Sequence, residues 1–201
     1  MSATPEGPDV VAVLDLVDYR RRVAELYRTV RRSEPGEATW KRWRRGRDEL
    51  LRTSSQTPVA PADRAGFTGA GFFPYDPAWR LDAAIETSQG PVADGWQPAG
   101  RVTVAGAELT VFWLTSYGGG LFLPFRDATN KGETYGGGRY LLDTVKGADL
   151  GSTPSGSVVL DFNYAYHPSC AFDPVWTCPL PPPENTVPGE VRAGELLPGS
   201  S

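Results

Sequence analysis

From about Asp9 to Arg32, apolar residues recur at helical spacing: Val13, Leu16, Val17, Val23, Leu26, Tyr27 and Val30, with arginines and acids between them. The pattern predicts an amphipathic helix whose apolar stripe needs a partner. Pro35 and Gly36 end it, because neither residue continues a helix at low cost. A second helix is expected from Glu37 to about Thr53. Trp40, Trp43, Leu50 and Leu51 form its apolar side, and Lys41, Arg42, Arg44, Arg45 and Arg47 crowd the rest.

After a polar connector over residues 54–66, the helical period gives way to alternation and turns. Leu81 to Ile85 reads as a short extended run. Arg101–Val104 and Glu108–Tyr117, joined at Ala105-Gly106-Ala107, read as a hairpin. Leu109, Val111 and Trp113 share one face of the second arm; Thr110, Phe112 and Leu114 share the other. Both faces are apolar enough to predict a central strand covered on both sides. Leu121–Phe125 follows three glycines, and Pro124 within it predicts an edge position or a bulge. Arg139–Val145 and Ser157–Tyr166 are further expected strands, with a Gly/Ser/Pro loop over 147–156. From Pro168 onward a proline-rich segment predicts an extended tail outside the sheets.

Strand follows strand without an intervening helix. The expected fold is therefore mainly β, an antiparallel sandwich or partly closed barrel with two N-terminal helices packed outside. Residues 1–9 read as a disordered tail, 10–53 as the helical extension, and 54–201 as a β-rich domain forming one folding unit with the helices.

Composition narrows the function classes. The net charge is −4, which gives no global reason to expect nucleic acid. Within it, residues 1–52 hold 12 Lys+Arg against 9 Asp+Glu, leaving 8 against 15 for the remainder. No stretch approaches the roughly 20 apolar residues of a membrane helix. The polar start shows no secretory leader, which favours the cytoplasm. There, Cys170 and Cys178 are expected as free thiols.

Two polar runs carry the candidate chemistry. In the expected strand Val158–His167, alternation would place Asp161, Asn163 and His167 on one face, roughly 6–7 Å apart per step. A carboxylate that orients an imidazole suits general acid/base work, and the same three groups could ligate a divalent metal. The second run, Arg126 to Tyr140, carries Asp127, Glu133, Tyr135 and Arg139 around Gly136-Gly137-Gly138. Arg126 and Arg139 could clamp a carboxylate or phosphate in bidentate fashion. Equally, they could pair internally with Asp127 and Glu133. The glycines match no phosphate-binding loop, no GxSxG elbow is present, and no nucleotide, flavin or haem signature appears. Cys170, Cys178 and His167 together fall one ligand short of a structural zinc set.

These residues also lie in longer motifs: LPFRDAT at Leu123–Thr129, ETYGGGRYL at Glu133–Leu141, DFN at Asp161–Asn163, CPLPPPEN at Cys178–Asn185 and RAGE at Arg192–Glu195. In them the chain resembles, over nearly its whole length, the bacterial and archaeal family called domain of unknown function 1684. The resemblance implies no activity. In the family pattern an arginine follows DFN and an asparagine precedes the next proline; Tyr164 and His167 stand at those places here. That implies a shared site weighted toward Arg126, Asp127, Glu133, Arg139, Asp161 and Asn163.

The resulting expectation is an enzyme acting on a small, polar, anionic molecule by hydrolase-like acid/base chemistry. Arg126, Asp127, Arg139, Tyr135 and Tyr140 would hold the substrate. Asp161 or Glu133 would be the base, with Asn163 or His167 steadying developing charge. The alternatives are a non-catalytic module binding a small ligand in the same pocket, and an interaction protein using the basic Trp40–Arg47 helix.

Overall fold

Helix α1, Val10–Arg31, opens on Asp9, whose carboxylate accepts the Val11 N–H at 3.0 Å. The computed structural model describes residues 9–88, 90, 95–115 and 117–197, so the expected disordered start lies outside them apart from Asp9. Helix α2, Glu37–Thr53, follows a break at Gly36, whose φ of 144° suits glycine. The two helices pack where Gly46 meets Leu26: a Cβ at Gly46 would collide with that leucine.

The strands are β1 (Arg80–Ala83), β2 (Glu86–Thr87), β3 (Trp96–Val104), β4 (Ala107–Leu114), β5 (Gly120–Phe125), β6 (Arg139–Asp143) and β7 (Val158–Asp161). They form a five-stranded antiparallel sheet, β2-β3-β4-β5-β6, and a two-stranded one, β1-β7. Among the described residues the sheets do not close into a barrel, and the fold is mainly β and sandwich-like with two N-terminal helices. The expected hairpin pairs Val102 with Leu109, and β4 is central. Pro124 sits in an internal strand, at a register shift between Leu123 and Pro124; a bulge removes the need for its missing N–H.

Each face of the large sheet has its own core. One contains Val102, Leu109, Val111, Leu123, Phe125 and Leu142 with Leu160 and Phe162. The other packs Phe122 and Tyr140 against Tyr27, Trp40 and Trp43 of the helices and against Tyr164 and Tyr166. Trp40 also donates its indole N–H to the Asn163 carbonyl at 2.8 Å, which anchors α2 to the segment after β7. No described helix is long and apolar enough to cross a membrane.

The C-terminal segment is more than a tail. Its described residues form no strand, yet Asn185, Val187, Val191, Ala193 and Glu195 are buried. Asn185 replaces a missing strand: its side chain donates to the carbonyls of Thr110 and Pro124 and accepts the Thr110 N–H, all within 2.9 Å.

Candidate functional site

The run after β5 is built as a brace. Asp127 caps a short 3-10 turn, Ala128–Lys131, and its carboxylate accepts from the Thr129 hydroxyl at 2.8 Å and the Val191 N–H at 2.7 Å. Its other oxygen takes the Arg139 guanidinium at 3.1 Å. Arg139 is fully buried and also donates to the carbonyls of Val191 and Ala193. Burial pulls its proton affinity down, and Asp127 opposes that. A guanidinium and carboxylate with no exposed surface cannot clamp a substrate; these two tie β6 to the C-terminal segment. Glu133, expected as a base, instead pairs with Arg192 through two bonds of 2.7 Å at the surface. Arg126 is half-buried, with no partner for its Nε, and the two arginines do not form a clamp.

The second run corrects the alternation. β7 ends at Asp161, because that carboxylate caps a 3-10 turn, Phe162–Tyr164, by accepting the Asn163 N–H at 3.0 Å. Asp161, Asn163 and His167 therefore do not share a strand face. Asn163 is spent on the Asp76 backbone, donating to its carbonyl at 2.8 Å and accepting its N–H at 2.9 Å. Asp161 borders a small cavity of about 60 Å³ beside Arg80 and Tyr164, water-sized rather than substrate-sized. Burial raises its proton affinity while Asn163 and Arg80 oppose. The three proposed metal ligands are thus not gathered. Among the described residues no three His, Cys, Asp or Glu side chains form a metal-ligand set.

His167 lies elsewhere, under a cavity of about 390 Å³. The Tyr135 N–H donates to its Nε2 at 3.1 Å, so the hydrogen-bond network assigns the ring hydrogen to Nδ1. Nδ1 is buried, has no partner, and stands 3.8 Å from Glu195, too far for a hydrogen bond. Desolvation, then Arg139 and Arg47, hold the imidazole well below its ordinary 6.5. Neutral, with its lone pair occupied by an amide, His167 is poorly placed to act as a base. Glu195 is fully buried and accepts the His167 backbone N–H at 2.6 Å and Arg47 at 2.8 Å.

The cavity wall draws on four parts of the chain. Leu16, Tyr19, Arg20, Val23 and Tyr27 present the apolar stripe of α1; Arg47 and Leu51 come from α2. Tyr140, Lys146 and Tyr166 come from β6 and the segments following β6 and β7, and Trp176 to Pro179 from the C-terminal segment. Three of the described lining residues are Lys or Arg, and none is a carboxylate. Glu195 offsets Arg47, and Asp143 offsets Lys146 at 2.8 Å, which leaves the charge of Arg20. Arg47 also lies over the Tyr166 ring and Lys146 over Tyr140, 5.0 and 5.7 Å from the centroids. The Tyr140 hydroxyl donates to the Pro179 carbonyl at 2.5 Å, and burial keeps that phenol protonated.

Of the expected site residues, then, the cavity gathers His167 and Tyr140, with Tyr135 held against His167. Asp161 lies at a separate pocket, Asn163 is buried on the Asp76 backbone, Glu133 is at the surface, and Asp127 and Arg139 are inside the core. The alternation and motif arguments missed Arg20, Arg47, Lys146, Trp176 and Glu195. The signal for two of them was present: the α1 stripe lacked a partner, and Glu195 closes the RAGE motif.

Residues 65–196 match the family described as Protein of unknown function (DUF1684). The chain belongs to that family. A similar structure is the solution NMR structure of an uncharacterised protein from gene locus rrnAC0354 of Haloarcula marismortui. It shares 28% identity, covering 79% of this chain and 92% of that one, with a TM-score of 0.54. No curated protein matches the chain. The DUF1684 segment supplies Tyr140, Tyr166 and His167 to the cavity, while Arg20, Tyr27 and Arg47 precede it. Most of the family motifs quoted above are the braces just described: Asp127 with Arg139, Asp161 with Asn163, Asn185, and Glu195.

Proposed function

We propose that the protein is a small-molecule-binding module, and that its ligand is a small anion with an apolar or aromatic body seated between α1 and the 166–179 segment. The carrying observation is the lining of the 390 Å³ cavity: tyrosines, a tryptophan and aliphatic side chains, with three cations and no carboxylate among its described residues. The volume lies in the range of small-ligand pockets, about 300–1,000 Å³. Apolar walls would take up the ligand's body, and Arg20, the lining cation that no described carboxylate offsets, would meet its charge. Binding is favoured over turnover because the one imidazole spends its lone pair on an amide, and the carboxylates expected as bases are capped or paired elsewhere. Two unbonded cysteines fit the reducing conditions of the cytoplasm.

The test is calorimetric titration with aromatic and aliphatic carboxylates, inorganic phosphate and the neutral amides of the same acids. The expected result is binding of aromatic acids but not of their amides, with Arg20→Ala weakening it about tenfold. Equal binding of acids and amides, or no binding by any of them, would overturn the reading.

A further inference from the structure

Two cysteines stand at the cavity, Cys178 in its wall and Cys170 next to the lining residue Ser169, and ligand binding makes no use of them. Cys170 lies in a short 3-10 turn, Ser169–Ala171, and Cys178 borders the cavity. Both are unbonded and partly exposed. The fold brings them together: the Cys170 backbone N–H donates to the Cys178 Sγ at 3.3 Å. The intervening chain turns back on itself, with the Asp173 N–H on the Ser169 carbonyl and the Trp176 N–H on the Asp173 carbonyl, each at 3.2 Å. Burial opposes ionisation of the Cys178 thiol, and the Cys170 amide favours it. The Cys170 thiol, and then burial, help the Tyr135 hydroxyl retain its proton.

From this geometry we propose that Cys170 and Cys178 form a reversible oxidation site, joined by an internal disulfide in the presence of a peroxide or a small disulfide. With hydrogen peroxide, one thiolate attacks a peroxide oxygen and breaks the O–O bond, giving a sulfenic acid and hydroxide. The second thiolate attacks that sulfur, the S–S bond forms and hydroxide leaves. The two thiol protons convert both hydroxides to water, so two sulfurs lose one electron each and one peroxide is reduced. With glutathione disulfide, the first attack releases one glutathione thiolate and leaves a mixed disulfide. The second cysteine then expels the other glutathione.

The bond would fix the turn at Ser169 to the Thr177–Pro179 stretch, both of which line the cavity. Oxidation therefore sets the shape of that wall. The site needs no particular ligand, so it stands or falls separately from the binding reading.

The experiment compares folded protein with the same chain unfolded in urea, each exposed to glutathione disulfide and resolved by intact mass and peptide mapping. If the fold positions the pair, the ratio of internal disulfide to glutathione adduct is about tenfold or more higher in the folded protein, as for other preoriented intramolecular reactions. Dithiothreitol restores both thiols, and Cys170→Ser holds a stable adduct on Cys178. An equal ratio in the two states, or persistent adducts on the folded protein, overturns the proposal.

Discussion

Arg47 and Glu195, 148 positions apart, form a two-pronged ion pair in which one guanidinium nitrogen reaches both carboxylate oxygens, at 2.9 and 2.8 Å. The pair locks α2 to the end of the chain. The Arg47 side chain is 13% exposed and that of Glu195 fully enclosed, so removing either partner strands a charge in the interior. A single truncation of such a pair costs roughly 3–5 kcal/mol. Glu195→Ala is expected to lie at the upper end and Arg47→Ala below it, because Glu195 also accepts the His167 backbone N–H. Urea unfolding of both variants and of the double variant checks this; the double loss should fall well short of the sum.

The brace reading of Asp127 and Arg139 separates sharply from a substrate-clamp reading. Arg139→Met should cost roughly 3–5 kcal/mol, since it leaves Asp127 buried without its cation and two carbonyls without donors. Glu133→Ala breaks only a surface pair with Arg192, at 42% and 54% side-chain exposure, and should cost under about 1 kcal/mol. Thermal melts of the two variants decide the matter. A clamp residue would show the reverse, a ligand defect without a large loss of stability.

Asn185 makes a similar point without charge. It is fully buried and its amide serves one acceptor and two donor bonds. Asn185→Asp keeps the shape but turns a carboxylate toward two carbonyls. At roughly 1–3 kcal/mol per buried group left unpaired, the variant should lose several kcal/mol. Asn185→Ala should be milder, because it removes the group rather than reversing it. Chemical denaturation curves for the two variants check the order.

The periodicity made the helices and the central hairpin legible, because the 3.6-residue stripe and the two-residue alternation are local properties of the chain. It did not reveal where β7 stops. Asp161 reads as one more alternating residue until its carboxylate is seen to cap the turn at Asn163, a competition between side chain and strand that alternation cannot register. The polar density of the two runs was also plain in the sequence, yet most of it braces loops that have no strand partners. A backbone without strands must satisfy its N–H and C=O groups somewhere, and Asp127, Asn163 and Asn185 do so here. The cavity depends instead on long-range closure. Tyr27, Arg47, Tyr140 and Trp176 meet only after helices, sheet and C-terminal segment have packed, and no local pattern encodes that meeting.

The buried imidazole gives a pH dependence with a definite sign. His167 is held well below its ordinary 6.5 in the folded protein, so between the two values the unfolded chain binds a proton that the native state does not. Stability from this group is complete above about pH 6.5 and is lost as pH falls below it, at no more than about 1.4 kcal/mol per pH unit. Asp48 and Asp161, both raised by burial, act in the opposite sense, since their native forms take up protons more readily than the unfolded chain. A difference measurement isolates the imidazole from them. His167→Gln retains an acceptor for the Tyr135 N–H but cannot titrate, so its unfolding free energy between pH 7 and pH 5 should fall less steeply than that of the parent. Parallel curves for the two proteins would mean that folding does not lower the proton affinity of the ring, and would overturn the prediction.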